Sequence, residues 1–203
     1  MERESLPLTP PEPIAEVFRQ GGVVFLPTDT LYGLSAGAFH GDALHRIATL
    51  KGRSSPFLLL CDDREKLSPL ISALPSALDR LWDRVVPGPL TLLIPSRRPL
   101  PLLTGPEGKI AVRWPNHQPL KELLSLLPFP IVSTSANPHG LPPAGSVREA
   151  AAYFPEGIDL FVEDGPRGAL PSTMVDLSLP VPRIVRPGSL SREELLPFLP
   201  GLL

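Results

Sequence analysis

Proline limits the architecture of this 203-residue chain more than any other residue, because 29 prolines are spread along it. Proline lacks a backbone N–H and has a fixed φ, so it ends or kinks helices and is kept to the margins of sheets. Short apolar runs with helical or strand period lie between the prolines. The bias therefore belongs to the connections and is not low complexity. Hydrophobic residues at 42% and charged residues at 20% agree with a globular chain. The length suits one domain, or one domain with a short appendage.

The periodic runs alternate between the two kinds. Ile14, Val17 and Phe18 form a short helical stripe that stops at Gly21-Gly22, and Val23–Leu26 reads as a buried strand. Asp42 is the expected N-cap of a helix carrying Leu44, Ile47 and Ala48. Phe57–Leu60 is a second buried strand. Leu78, Leu81, Trp82 and Val85 predict a helix ended by Pro87-Gly88-Pro89. Strands are expected at Leu90–Ile94 and Lys109–Arg113, a helix over Leu120–Leu127, and a strand at Ile131–Ser133. Ser146 and Glu149 have capping-box spacing, as do Ser191 and Glu194. Strands at Leu160–Val162, Met174–Leu177 and Arg183–Val185 lie between those two boxes. The pattern predicts a mixed α/β chain with an open, twisted, partly antiparallel sheet.

Several functions are disfavoured or excluded. A net charge of -2 argues against a wholesale polybasic nucleic-acid binder, although residues 80–121 hold seven Lys/Arg and two Asp/Glu, room for an anionic ligand. Cys61 is alone, so there is neither an intrachain disulfide nor a cysteine zinc site, and a single buried thiol suits a reducing compartment. The first thirteen residues lack the apolar run of a signal peptide, and five prolines interrupt the uncharged stretch Leu123–Val147. A soluble, cytoplasmic protein with no membrane association is expected. Walker A and G-x-G-x-x-G motifs are missing, and His40 and His45 are five apart, pointing to different sides of a helix. Gly33-Leu34-Ser35-Ala36-Gly37 matches the G-x-S-x-G nucleophile elbow, but the expected helix starts too late to form one.

Four segments combine chemistry with a strand end. Thr28-Asp29-Thr30 leaves a buried strand, where ligands sit in α/β sheets; the same residues also suit a locally hydrogen-bonded turn. Lys51-Gly52-Arg53 suits an anion grip, or equally a helix C-terminus with Gly52 as left-handed cap. Arg113, ending an apolar strand, suits a carboxylate ligand or an ordinary ion pair. Ser133-Thr134-Ser135-Ala136-Asn137 offers small donors to phosphate, or a turn before Pro138 and Gly140. Pro171-Ser172-Thr173 and Arg186-Pro187-Gly188 are weaker signals of the same kind.

Taken together and in order, these pieces resemble the YrdC-domain family, the threonylcarbamoyl-AMP synthases. The resemblance runs through Pro27-Thr28-Asp29-Thr30-Leu31-Tyr32-Gly33-Leu34, Lys51-x-Arg53, Pro87-Gly88-Pro89-Leu90-Thr91, Ala111-Val112-Arg113-x-Pro115, Ser135-Ala136-Asn137, Ser172-Thr173-x-Val175-Asp176 and Arg186-Pro187-Gly188. It implies a YrdC/RibB-like fold with a central, positively charged cleft. It also implies a nucleotidyltransferase that joins L-threonine, bicarbonate and ATP into threonylcarbamoyl-AMP, with magnesium arriving on ATP. The product then passes to a tRNA-modifying transferase complex, with direct tRNA or double-stranded RNA contact a further implication. By the same resemblance Lys51 and Arg53 hold the triphosphate as the catalytic cations. Thr30, Arg113, Ser133 and Ser172 bind threonine. Ser133, Ser135, Asn137, Pro143 and Arg186 bind the nucleotide.

The chain departs from the family pattern where Ser54-Ser55-Pro56 follows Arg53, because the usual proline and a further basic residue are absent. A YrdC-like paralogue that binds RNA or nucleotide without making the adenylate is the alternative this departure favours. The expected organisation is a proline-rich segment over 1–13, the YrdC-like domain over 14–190, and a short helix over 191–203.

Overall fold

A computed structural model describes residues 5–52, 56–167 and 170–203. The chain begins with β1 (Leu6–Pro7), α1 (Glu12–Arg19), and a hairpin of β2 (Val24–Pro27) and β3 (Tyr32–Gly37). Then come α2 (Gly41–Lys51), β4 (Leu58–Leu60), a 3-10 turn at Glu65–Leu67 and α3 (Ala77–Leu81). The middle holds β5 (Leu90–Pro95), β6 (Lys109–Arg113), α4 (Gln118–Ser125) and β7 (Ile131–Ser135). The last elements are α5 (Val147–Tyr153), β8 (Leu160–Glu163), β9 (Thr173–Asp176), β10 (Arg183–Arg186) and α6 (Arg192–Leu195).

The strands form one mixed sheet in the order β1-β8-β2-β3-β7-β4-β6-β5-β9-β10. β2 with β3, β3 with β7, β4 with β7, and β5 with β6 are antiparallel; β2 with β8, β4 with β6, and β5 with β9 are parallel. Strand alternation sorts the side chains onto two faces. On one face Phe25, Leu34, Leu59, Val112, Val132 and Leu92 join a large core with α2, α3 and α5. On the other, Val24, Leu26, Leu60, Ile131 and Val162 pack against Ile14 and Phe18 of α1 and Leu120, Leu123 and Leu124 of α4. The C-terminal segment belongs to the first core through Leu195, Leu199 and Leu202, and Leu8 near the N-terminus belongs to the second.

The local expectations need four corrections. His40, not Asp42, is the N-cap of α2, and it makes no side-chain capping bond; Asp42 lies in the first turn, where its charge faces the positive end of the helix dipole. α3 stops at Leu81, because Trp82 turns extended and packs edge-on to Trp114 with the Arg64 guanidinium 3.8 Å above its ring. Ser146 caps α5, but Glu149 reaches the Gly145 N–H rather than that of Ser146, so only half the box forms; at Ser191 and Glu194 it is complete. β7 extends through Thr134 and Ser135, which pair with Leu34 and Gly33 instead of forming a turn.

Candidate active site

The sheet's register assembles the site on the face that α1 and α4 only partly cover. Ser133 and Ser135 follow Ile131 at two-residue steps, so they share its face, and β3 places Ser35 and Gly33 opposite them. β4 places Leu58 and Leu60 beside Ala111 and Arg113. The sequence thus switches from large apolar to small or polar residues along a single face, leaving a concavity in the middle of the sheet.

Arg113 forms one wall. Its side chain is only 3% exposed, and Nη1 donates to Thr30 Oγ1 at 2.8 Å while Nη2 donates to Thr28 Oγ1 at 3.2 Å. Asp29 Oδ1 is 3.0 Å from Nη2. Burial pushes the guanidinium pKa down, Asp29 opposes this, and the positive charge of Arg186 adds to it. Arginine's very high reference value keeps it charged nonetheless. Both readings of Thr28-Asp29-Thr30 hold: the loop is a local turn, with Thr28 Oγ1 donating to Leu31 O at 2.7 Å, and it is also the seat of Arg113.

β7 and the loop after it form the second wall. Ser35 Oγ donates to Ser133 Oγ at 3.1 Å, and a Cβ at Gly33 would lie 2.3 Å from Ser133 Oγ, so only glycine lets the strands close there. Gly52 caps α2 in the left-handed conformation, as expected. Its neighbour Lys51 is 1% exposed, and Nζ donates to Ser135 O at 2.6 Å and Asn137 Oδ1 at 2.8 Å. Asn137 Nδ2 in turn donates to Pro138 O and Leu141 O. The third wall is Ser172, whose Oγ is 2.7 Å from Thr91 Oγ1 and whose carbonyl accepts from Arg186 Nη2 at 2.9 Å.

These walls enclose a cavity of about 430 Å³, within the usual size of small-molecule sites. Thr30, Arg113, Ser133, Ser135, Pro143, Ser172 and Arg186 all line it. Lys51 and Asn137 do not; they sit behind Ser135 and hold its loop. Arg53 and Ser54-Ser55 lie outside the described residues. Thr28, in the loop singled out above, lines it too, and sequence reasoning missed Ala111 and Met174. For the last two, strand alternation from Arg113 and Ser172 was the available signal.

Other chemistries do not assemble. Ser35 is fully buried in mid-strand with no helix starting directly after it, so no nucleophile elbow forms. Burial pushes the Cys61 thiol up to about 12, keeping it protonated and unreactive. His117 pairs with Asp164 at 3.2 Å outside the cavity lining; burial and Arg167 push its pKa down, against the pull of Asp164. Among the described residues no cluster of three or more His, Cys, Asp or Glu could hold a metal, and no helix is long and apolar enough to cross a membrane.

Residues 16–188 match the Sua5/YciO/YrdC family, described as telomere recombination. A Pyrococcus abyssi threonylcarbamoyl-AMP synthase is 36% identical over 185 residues, covering 89% of this chain and 54% of its own length. The chain therefore spans about half of that relative. The protein of the same name from Thiobacillus denitrificans is 38% identical over 165 residues, covering 79% of this chain and 87% of its own. That from Stutzerimonas stutzeri is 37% identical over 181 residues, with shares of 86% and 95%. The crystal structure of P. abyssi Sua5 complexed with L-threonine superposes with a TM-score of 0.87 at 33% identity, covering 99% of this chain and 61% of that one. E. coli YciO superposes with a TM-score of 0.82 at 26% identity, covering 98% of this chain and 100% of that one.

Proposed function

The chain belongs to the Sua5/YciO/YrdC family, and on that premise we propose that it makes L-threonylcarbamoyl-AMP from L-threonine, bicarbonate and ATP. The observation that carries the reading is a buried guanidinium, Arg113, seated between two threonine hydroxyls and facing Ser133, Ser135, Ser172 and Arg186 around one cavity. Such a site suits a substrate with a carboxylate at one end and phosphate at the other.

In this reading Arg113 and Thr30 hold the threonine carboxylate, with Ser172 alongside. The threonine amine adds to carbon dioxide equivalents from bicarbonate, giving a carbamate and releasing water. A carbamate oxygen attacks the α-phosphorus of ATP, the bond to the bridging oxygen breaks, and pyrophosphate leaves with that electron pair. Nucleotidyl transfer of this kind needs positioning and cationic stabilisation more than a nucleophilic side chain. Ser133 and Ser135 donate to phosphate oxygens, Pro143 packs on the nucleotide, and Arg186 balances developing negative charge. Lys51 acts by holding Ser135 and Asn137 in place, and Arg53 supplies a further cation to the triphosphate. Magnesium enters with ATP as part of the substrate. The product is consumed by a transferase that modifies the tRNA adenosine beside the anticodon.

The test is pyrophosphate release from magnesium-ATP and bicarbonate, with and without L-threonine, with a mass spectrum of the nucleotide product. Threonine-dependent release and a threonylcarbamoyl adenylate are expected. A folded protein that binds nucleotide or RNA without release would instead favour a paralogue role, the reading to which whole-length likeness to YciO also lends weight.

A further inference from the structure

No step above uses the carboxylate of Asp29, although its side chain is only 7% exposed beside the cavity wall. Its two oxygens face different segments. Oδ1 lies 3.0 Å from Arg113 Nη2, and Oδ2 accepts the Asn116 backbone N–H at 3.2 Å. It therefore joins the β2–β3 loop to the segment leaving β6. The contact with Arg113 is one of charge without hydrogen-bond alignment, since among the described residues neither Asp29 Oδ1 nor Arg113 Nε has a hydrogen-bond partner. Thr28 and Thr30 supply directional bonds to the guanidinium but no charge. Among the described residues Asp29 is also the one negative group that raises the Arg113 pKa against burial and Arg186. A buried cation without a counter-charge is driven toward solvent.

Resting on the reading in which Arg113 takes the substrate carboxylate, we propose that Asp29 is a positioning residue whose charge, rather than its shape, keeps the Arg113 guanidinium seated between Thr28 and Thr30. Removing that charge also removes a like charge from the neighbourhood of the incoming carboxylate. The seat outweighs this gain, because a guanidinium that has left the wall offers no fixed donors at all.

The experiment compares wild type, Asp29→Asn and Asp29→Ala by calorimetric titration with L-threonine and with ATP. Nitrogen-15 NMR of the Arg113 Nη–H groups in the substrate-free protein is the second readout. Both variants should weaken threonine about tenfold, the loss expected for one mis-seated charge-assisted contact, and leave ATP within about twofold. Separate, slowly rotating Nη–H signals in wild type should merge in both. Asp29→Asn that keeps wild-type affinity and separate signals would show that shape suffices and overturn the proposal; so would tighter threonine binding. If Asp29→Ala fails to fold, the isosteric Asp29→Asn carries the test. If wild type itself binds no threonine, the synthase reading fails while the NMR comparison still decides the role of Asp29.

Discussion

Gly188 offers a sharp test of how the third wall is built. A Cβ there would lie 2.4 Å from Pro171 O, 2.4 Å from the Ser172 carbonyl carbon and 2.5 Å from Thr173 N. All three are backbone atoms, and each distance is about an ångström short of ordinary contact, so no side-chain rotation relieves the clash. Gly188→Ala therefore has to push the segment after β10 away from Ser172. It thereby strains the Ser189 N–H to Pro171 O bond of 2.9 Å and the Arg186 to Ser172 carbonyl bond of 2.9 Å. Overpacking of this kind costs about 1–3 kcal/mol. For a domain of this size that lowers Tm by roughly 2–12 °C, taking about 2–4 °C per kcal/mol. Ser172 and Arg186 both line the cavity, so pyrophosphate release should fall more steeply than stability, by about tenfold or more. Gly41→Ala is the control: its Cβ would meet nothing within 4 Å, it begins α2, and it should be neutral or stabilising by up to about 1 kcal/mol. Differential scanning calorimetry and a pyrophosphate assay on both variants decide the matter. A Gly188→Ala protein with the Tm and turnover of wild type would refute the packing argument.

Two further outcomes follow from the sheet face. Lys109 Nζ is 2.6 Å from Asp176 Oδ2, with the Asp176 side chain 1% exposed. Burial pushes the Asp176 carboxyl up, but Lys109 and Ser178 outweigh it and the net shift is down; hydrogen bonds from Lys109 to Asp176 and then Glu107 raise the lysine. A lowered acid stabilises above its unfolded pKa of about 3.9 and loses that contribution as pH falls further, while a raised lysine stabilises below about 10.4 and loses it as pH rises beyond its folded value. Urea unfolding should thus show a plateau between those limits, and Asp176→Asn, which leaves Lys109 paired with Glu107, should lower it by about 1–3 kcal/mol and flatten the acid limb; an unchanged acid limb would contradict the pairing. Ser35→Ala removes the hydroxyl bond to Ser133, costing about 1 kcal/mol, and should leave turnover within about threefold, whereas complete loss of activity would revive a serine-nucleophile mechanism.

What the residues alone determined was local and periodic. Lys109–Arg113 is a strand with the expected bounds, Gly52 is the left-handed cap, Ser191 and Glu194 close a capping box, and the ordered motifs point to the family. The candidate site residues came from the family resemblance, and seven of them line the cavity; read alone, hydroxyls and cations at strand ends fitted turns, caps and ion pairs as well. Long-range pairing decided the rest. Thr134 and Ser135 look like a turn until Leu34 and Gly33 supply the neighbouring strand that satisfies their backbone. Lys51 looks like a free cation at a helix end until the strand 84 residues later brings the Ser135 carbonyl to its amine. The Asp29–Arg113 contact is likewise invisible in sequence, because it depends on β2, β3 and β6 lying in one sheet in a given order. Propensity and capping act over a few residues and can be read along the chain. Charge pairing and cavity walls depend on register across strands, which packing of the whole sheet sets.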